Sequence, residues 1–302
     1  MFISVAVPTC DRPADLERCL ASLAQVGYTD WKLIVVDQSD GDQSRQVVEA
    51  WRPRLPEVTY LRLAEKNASA ARNLGIANAT GEVLAFLDDD CSVSPDWLDR
   101  VREVFDQEPD ASLVFGAVKA AEHDPAAAIV PTYEPNRLKR LQGRLAGWRM
   151  GGIGASMYLR LGSRGTPRFD LSLGPGARFR STQDWDFRYR VLAAGALVIE
   201  TPRINVVHHG ARSYAGGMAS LKVRDYLYGI GAAHSKLLRC GEWIMFLAIP
   251  FKLGESIAAI RPQNALRNQP TRVGGLLMYL RGLKDGFKVP VERQARLYRD
   301  PA

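Results

Sequence analysis

Three consecutive carboxylates, Asp88-Asp89-Asp90, follow the apolar run Leu84–Leu87. Adjacent carboxylates repel one another unless a cation or water screens them. In an extended chain residues 88 and 90 point to one side, so both are expected to face a single ligand. A hard divalent cation carrying a diphosphate suits such oxygens. The plain alternative is a solvated acidic turn ahead of a Ser94/Asp96 helix cap. Two other apolar runs also end in polar residues: Phe2–Val7 leads into Pro8-Thr9-Cys10-Asp11-Arg12, and Leu33–Val36 into Asp37-Gln38-Ser39-Asp40. Taken singly, Asp11 and Asp37 also suit turns and caps. On one parallel sheet these ends converge on a crevice. His208-His209 closes a later apolar run, and only one of two adjacent strand residues can face that crevice.

The elements needed to position these residues are legible from periodicity. Phe2–Val7, Leu33–Val36, Val58–Leu63, Val83–Leu87 and Leu113–Val118 read as strands. Ala14–Ala24, Asp42–Arg52, Ala68–Ala79 and Asp96–Phe105 read as helices between them. Leu16, Leu20 and Leu23 have helical spacing, with Asp11 the expected cap ahead of Pro13. Such alternation implies an α/β fold, a mostly parallel sheet with helices on both faces. His123 to Phe179 is rich in glycine and proline and reads as irregular. Gly152, Gly154, Ser156, Gly174 and Gly176 are expected to shape the acceptor side, or simply to serve turn geometry. Asp184–Ala194 reads as a helix with Trp185, Tyr189 and Leu192 on one face. Leu197–Ile199 and Ile204–Val207 follow as two short strands, and the chain beyond Gly210 reads as amphipathic helix.

Some functions lose support from missing motifs. There is no GxGxxG after the first strand, no GxxxxGK[ST], no GxSxG and no HExxH. That weighs against a dinucleotide oxidoreductase, a P-loop NTPase and an α/β-hydrolase. The four cysteines form no CxxC pair, which argues against a zinc site and a disulfide framework and fits a reducing cytoplasm. The N-terminus lacks the basic region and cleavage site of a signal peptide and reads as a strand.

The net charge of +7 is unevenly spread: residues 210–302 carry +9 and residues 1–209 carry −2. A basic tail suits nucleic acid, an anionic membrane surface or acidic substrates. Within the tail, Trp243–Phe251 is nearly unbroken in apolarity, yet far short of the roughly 20 residues that span a bilayer. Lys236, Arg239, Lys252 and Arg261 flank it. That pattern suits a helix lying in a membrane interface, or else one packed on the catalytic domain. The expected partner is the anionic membrane surface, not nucleic acid, with the protein peripheral on the cytoplasmic face.

At this point the chain resembles the family-2 glycosyltransferases of the GT-A fold. The resemblance rests on Phe2–Arg12, Leu33–Asp40, Asn67–Gly75, Gly81–Asp90 and Gln183–Arg190. Its most specific part is Asn67–Asp90, NASAARNLGIANATGEVLAFLDDD. It implies a GT-A, Rossmann-like sheet and a nucleoside-diphosphate sugar donor, UDP- or dTDP-linked, used with Mn2+ or Mg2+. Residues 1–120 would form the nucleotide-sugar half, 121–209 the acceptor-binding and catalytic-base half, and 210–302 a basic helical tail. Thr9, Asp11 and Arg12 would border the nucleoside, and Asp37 would bond the base. Arg72 and Asn73 would lie near the diphosphate-sugar, and Asp88 near the ribose or sugar. Asp90 would bind the metal with Asp89 beside it, and His208 would complete the coordination.

Gln183-Asp184-Trp185-Asp186-Phe187-Arg188 is similar to the family's Glu-Asp-x-Asp-x-x-x-Arg segment. Asp184 would then be the general base of an inverting transfer to a hydroxyl of a sugar or lipid-linked acceptor, in cell-surface polysaccharide or glycolipid synthesis. Two departures stand out: Gln183 replaces the usual glutamate, and the closing arginine falls at Arg188 or Arg190. A carboxylate at a helix start also has a structural use, through the helix dipole. The alternatives are a nucleotidyltransferase and a non-catalytic carbohydrate- or lipid-binding protein. The first would carry a Gly-rich basic loop after strand 1, and the second has no need of Asp88–Asp90 and Asp184.

Overall fold

A computed structural model describes residues 1–149, 151–162, 167–258 and 272–299. In chain order, β1 (Ile3–Thr9), α1 (Pro13–Leu23), β2 (Trp31–Asp37), α2 (Gln43–Trp51), β3 (Val58–Arg62), α3 (Ala68–Asn78) and β4 (Val83–Phe86) come first. Then follow β5 (Cys91–Ser92), α4 (Trp97–Gln107), β6 (Ala111–Ala120), β7 (Ala128–Ile129), β8 (Lys139–Leu141), α5 (Arg144–Gly147) and β9 (Met157–Arg160). The remainder is α6 (Gln183–Ala193), β10 (Leu197–His208), β11 (Arg212–Ser213), α7 (Met218–Arg239), α8 (Met245–Ala258), α9 (Arg272–Phe287), β12 (Val291–Glu292) and β13 (Leu297–Tyr298).

These elements fall into two compact units. The first comprises Met1–Glu122, Val130–Phe169 and Phe187–Gly210; the second comprises His123–Ile129, Asp170–Asp186 and Ala211–Ala302. The first unit is built on a nine-stranded sheet with the order β3-β2-β1-β4-β9-β6-β10-β5, and β8 on β10. β1 to β4 run parallel, as the strand–helix alternation requires. All of β2 is buried, and so is nearly all of β1, so these central strands read as continuous apolar runs. Register then decides what meets at the strand ends: Thr9 is level with Asp37, and Asp37 with Arg62.

Two strand expectations need correction. β9 lies inside the stretch read as irregular, yet it pairs antiparallel with both β4 and β6 at the centre of the sheet. Four residues between glycine-rich turns are too short to display a period of two. β10 is one strand instead of two, with an irregular register between Glu200 and Asn205. Pro202 falls there and cannot donate to a ladder.

The second unit is mainly helical. Its helices α7 and α9 approach at the backbone: a Cβ on Gly231 would lie 2.3 Å from the Tyr279 carbonyl oxygen, and one on Gly282 2.1 Å from that of Tyr228. β12 and β13 form a hairpin. Among the described residues no helix is long and apolar enough to cross a membrane.

Candidate active site

The strand ends of the first unit bring Thr9, Arg12 and the three aspartates together. The turn at Asp88–Cys91, closed by the Cys91 amide on the Asp88 carbonyl (3.1 Å), sends the carboxylates different ways. Asp89 points inward, accepts from the Thr9 hydroxyl at 2.8 Å and from Arg12 Nη1 at 3.1 Å, and is almost fully buried. Burial pushes its carboxyl up to about 7; Arg12 opposes this and the neighbouring Asp90 charge adds to it. Arg12 Nη1 also reaches Asp90 Oδ2 at 2.9 Å. Asp88 pairs instead with Arg72 at 2.7 Å. The chain turns here, so the strand alternation behind the expected common side of residues 88 and 90 lapses, and the two carboxylates have different partners.

Asp90 acquires a second neighbour through strand pairing. His208 lies opposite Cys91 in the β10–β5 ladder, which places its Nε2 3.4 Å from Asp90 Oδ1. Asp90, Cys91 and His208 are all buried and offer ligand atoms within 4.8 Å of one another. Burial first, and the nearby aspartates next, raise the Cys91 thiol above its ordinary value, and a soft sulfur is a poor match for a hard cation. Carboxylate and imidazole remain, a donor set that suits Mn2+ or Mg2+ with further oxygens from a diphosphate. Gly210 leaves room for it: a Cβ there would stand 2.5 Å from Asp90 Oδ2. The adjacent histidine turns away, with His209 Nε2 2.8 Å from the Ser92 hydroxyl. Cys91 is Asp90's neighbour in the chain, whereas Gly210 went unnoticed in sequence because only the β10–β5 pairing brings that end of β10 to Asp90.

Asp11 is not the cap of α1. That position belongs to Arg12, without a side-chain cap bond, and Asp11 adopts φ 54°. Its carboxylate accepts from the Asp40 amide at 3.0 Å and from Lys66 at 2.7 Å, while its own amide donates to the Ser39 hydroxyl at 2.8 Å. The loops after β1 and β2 are thus laced together. Lys66 also holds Asp40 at 2.5 Å, and these two carboxylate hydrogen bonds raise its ammonium pKa. Asp37 is completely buried, its oxygens accepting from the Ser39 amide (2.8 Å) and the Tyr60 hydroxyl (2.6 Å), with Arg62 at 3.7 Å. Asp40, Tyr60, Arg62 and Lys66 are further polar residues at this edge. The legible signal for them was a third strand ending beside Asp37.

Arg72 and Asn73 sit on α3, whose start is capped by Asn67 accepting from the Ser69 and Ala70 amides. The Arg72 guanidinium is buried, stacks at 5.7 Å from the Phe169 ring, and has no hydrogen-bond partner at Nε or Nη1 among the described residues. Buried donors of this kind are costly unless something accepts from them. Gly154 makes space beside it, since a Cβ there would lie 3.0 Å from Arg72 Nη2. Asn73 is engaged at both ends by the Phe169 backbone, at 3.0 and 2.6 Å. Ser156 bonds the Tyr158 hydroxyl at 3.0 Å.

Residues Gln183–Asp186 of α6 belong to the second unit and follow a glycine-rich loop. Asp184 is the one residue of Gln183–Ala193 that is not buried. One of its oxygens accepts from the Trp185 amide at 2.8 Å. In the first unit, Arg188 pairs with Glu200 at 2.8 Å and donates to the Arg149 carbonyl, and Arg190 donates to the Arg168 carbonyl. Both arginines are thus engaged within that unit.

The glycosyl transferase family 2 model matches residues 4–161, more than half of the chain. The chain belongs to glycosyl transferase family 2. It is a glycosyltransferase with α/β architecture and a helical C-terminal region. This family 2 chain is 32% identical over 248 residues to succinoglycan biosynthesis protein ExoM of Rhizobium meliloti, spanning 79% of this chain and 75% of that one. It is 27% identical over 231 residues to a PGL/p-HBAD biosynthesis glycosyltransferase of Mycobacterium bovis, spanning 75% and 82%. Its fold matches S. aureus TarS 1-349 in complex with UDP-GlcNAc (TM-score 0.61, 16% identity, 95% and 91% covered). It also matches the mannosyltransferase PcManGT of Pyrobaculum calidifontis in complex with GDP-Man and Mn2+ (TM-score 0.57, 16% identity, 92% and 86% covered).

Proposed function

We propose that this family 2 enzyme transfers a sugar, with inversion, from a UDP- or dTDP-linked donor to a hydroxyl of a sugar or lipid-linked acceptor. The observation carrying the proposal is Asp184, a lone accessible carboxylate in a helix otherwise wholly buried. In this reading residues 1–120 serve the donor and 121–209 contribute the acceptor side and the base. Asp184 takes the acceptor O–H proton as that oxygen bonds to the anomeric carbon. The bond from that carbon to the diphosphate breaks, and the nucleoside diphosphate leaves with the electron pair. The developing sugar charge has oxocarbenium character, as in related glycosyl chemistry.

The donor's diphosphate needs its charge matched. Arg72 supports this role, since its Nε and Nη1, without a partner among the described residues, can donate to phosphate oxygens. Asp90 and His208 would hold a divalent cation, and the buried pair with Gly210 beside it fits one. Such a cation supplies Lewis-acid neutralisation of the leaving diphosphate. Arg12, half exposed and paired with Asp89 and Asp90, would border the nucleoside alongside Thr9 and Asp11. Asp37, through Ser39 and Tyr60, shapes the base-binding edge, and Asn73 holds Phe169 against Arg72. Support for a nucleotide-sugar donor also comes from the UDP-GlcNAc complex of TarS, and for a polysaccharide or glycolipid product from the biosynthetic relatives.

For the second unit we read peripheral attachment to the anionic cytoplasmic face of a membrane. Trp243, Phe246 and Leu247 are 52, 70 and 55% exposed. On α9, Leu277, Leu280, Arg281, Lys284 and Phe287 fall on one stripe by helical spacing and all are exposed. Two of the cations assigned to lipid from sequence are used otherwise: Lys236 is fully buried, and Arg239 donates to the Gly286 and Val289 carbonyls. Lys252 pairs with Glu255 at 3.2 Å, and Arg261 lies outside the described residues. The α9 cations take their place in this reading.

The deciding experiment is release of the nucleoside diphosphate, UDP or dTDP, from a panel of UDP- and dTDP-sugars with and without Mn2+, for wild type and Asp184→Asn. Turnover by the wild type and its loss in the variant is the expected result. No turnover of any nucleotide-sugar would leave only a binding scaffold.

A further inference from the structure

Lys236, on α7, is an ammonium with no exposed surface. Its Nζ lies 2.7 Å from Asp170 Oδ2 and 2.6 Å from Asp186 Oδ1, both carboxylates being as buried as the lysine. Asp170 Oδ2 also accepts the Tyr298 amide of β13 at 2.8 Å. A charge buried this deeply persists only with close counter-charges. No step of the proposed chemistry uses these three groups.

Their placement along the chain is the clue. Asp170 and Asp186 are the two ends of one segment of the second unit, and that segment delivers Asp184. Lys236 therefore staples both ends at one point. Between them the backbone is strained, with φ 60° at Arg180 and 77° at Thr182. Non-glycine residues hold such angles only where their surroundings over-determine them. α7 supplies those surroundings. A Cβ on Gly229 would lie 2.7 Å from the Thr182 hydroxyl and 2.9 Å from the Phe179 carbonyl, so helix and loop touch at the backbone. Arg180 stands 3.5 Å from Asp225 of α7, and the Phe179 ring packs against Tyr228 and Tyr298. In the first turn of α6, Trp185 meets the buried ring of His234 edge-on at 5.3 Å.

We infer that Lys236 is a positioning residue for the reaction, holding the first turn of α6 through Asp186 so that Asp184 is aimed at the acceptor. The inference rests on Asp184 being the base. Lys236 touches neither donor nor acceptor in this scheme; it acts through the turn it anchors. Misplacing a catalytic group by about 1 Å is enough to cost on the order of 100-fold in rate. A purely structural ion triad would instead affect stability without regard to Asp184.

Asp186→Asn is the gentler probe, because it is isosteric and leaves Lys236 paired with Asp170. Lys236→Met removes both arms of the staple. Rates are read as UDP release with water as acceptor, using whichever of UDP-glucose, UDP-galactose or UDP-N-acetylglucosamine the wild type turns over fastest. We expect kcat to fall about 10- to 100-fold in Asp186→Asn, with KM for the UDP-sugar and Kd for UDP within about twofold of wild type. In an Asp184→Asn background the same substitution should have no further effect, since an absent base cannot be misplaced. Unchanged kcat in folded Asp186→Asn, or an equal loss with and without Asp184, overturns the positioning role. Wild-type turnover in Asp184→Asn alone overturns the base reading first, and the inference with it. Should Lys236→Met not fold, Asp186→Asn decides the matter by itself.

Discussion

His208 Nε2 stands 3.4 Å from Asp90 Oδ1, and the antiparallel pairing of His208 with Cys91 is what brings them together. The pair is nearly sealed from solvent. If it holds a divalent cation, exhaustive EDTA treatment abolishes transfer and Mn2+ restores it. Asp90→Ala then weakens UDP binding by about tenfold or more while uridine binding barely changes, because only the diphosphate meets the metal. Calorimetric titration of both ligands checks this, and full activity after chelation would refute it.

Asp184→Asn should reduce transfer below a tenth of wild type and leave UDP affinity within about twofold. The substitution keeps an oxygen that can accept from the Trp185 amide. Turnover above that tenth removes Asp184 from the mechanism.

A single displacement with one base inverts the anomeric centre. The anomeric proton coupling in the product NMR spectrum should report the configuration opposite to the donor's. Retention of the donor's configuration would overturn the single displacement.

Acid should destabilise the protein through His234. Burial, with the Lys252 charge second, lowers its pKa to about 3 from 6.5, and its Nδ1 lies 2.8 Å from the Tyr279 hydroxyl. The folded state keeps the ring neutral while the unfolded state binds a proton below pH 6.5. Its contribution is therefore fully present above pH 6.5 and is lost as pH falls towards 3, at about 1.4 kcal/mol per pH unit. Denaturant midpoints of wild type and His234→Gln between pH 7 and pH 4 should converge as the pH falls.

The exposed side chains of Trp243, Phe246 and Leu247 offer the membrane test. Wild type should float with anionic liposomes at low salt and less so at high salt, since each lysine or arginine near the lipid contributes about 1 kcal/mol. Replacing all three by serine should leave the fold intact and abolish flotation. Wild type remaining in the soluble fraction on anionic liposomes would point to a soluble acceptor.

The parallel half of the sheet was legible because its strands are buried on both faces and its helices alternate with them. Thr9, Arg12, Asp37 and Asp88–Asp90 could be singled out because they close those strands. The base segment was legible only by resemblance, since Gln183–Arg190 has no distinctive periodicity beyond its apolar face. β9 stayed hidden, being four residues long and without a flanking helix to announce it. The basic tail misled in part: charge counting treats Lys236 and Arg239 as solvent-facing, whereas one is paired in the core and the other caps backbone carbonyls.

By itself the sequence determined which strands of the parallel half form and which polar residues end them, because burial and period are local properties of the chain. It also determined that the tail is basic and too briefly apolar to span a bilayer. The tertiary structure alone decided partners. Asp88 went to Arg72 and Asp90 to Arg12 and His208, through a turn and a strand pairing that no local pattern specifies. It decided that Lys236 joins Asp170 to Asp186. Charge on a side chain is written in the sequence, but whether that charge is solvated or paired depends on which distant residues the fold brings within a few ångströms, where a low dielectric makes the pairing matter.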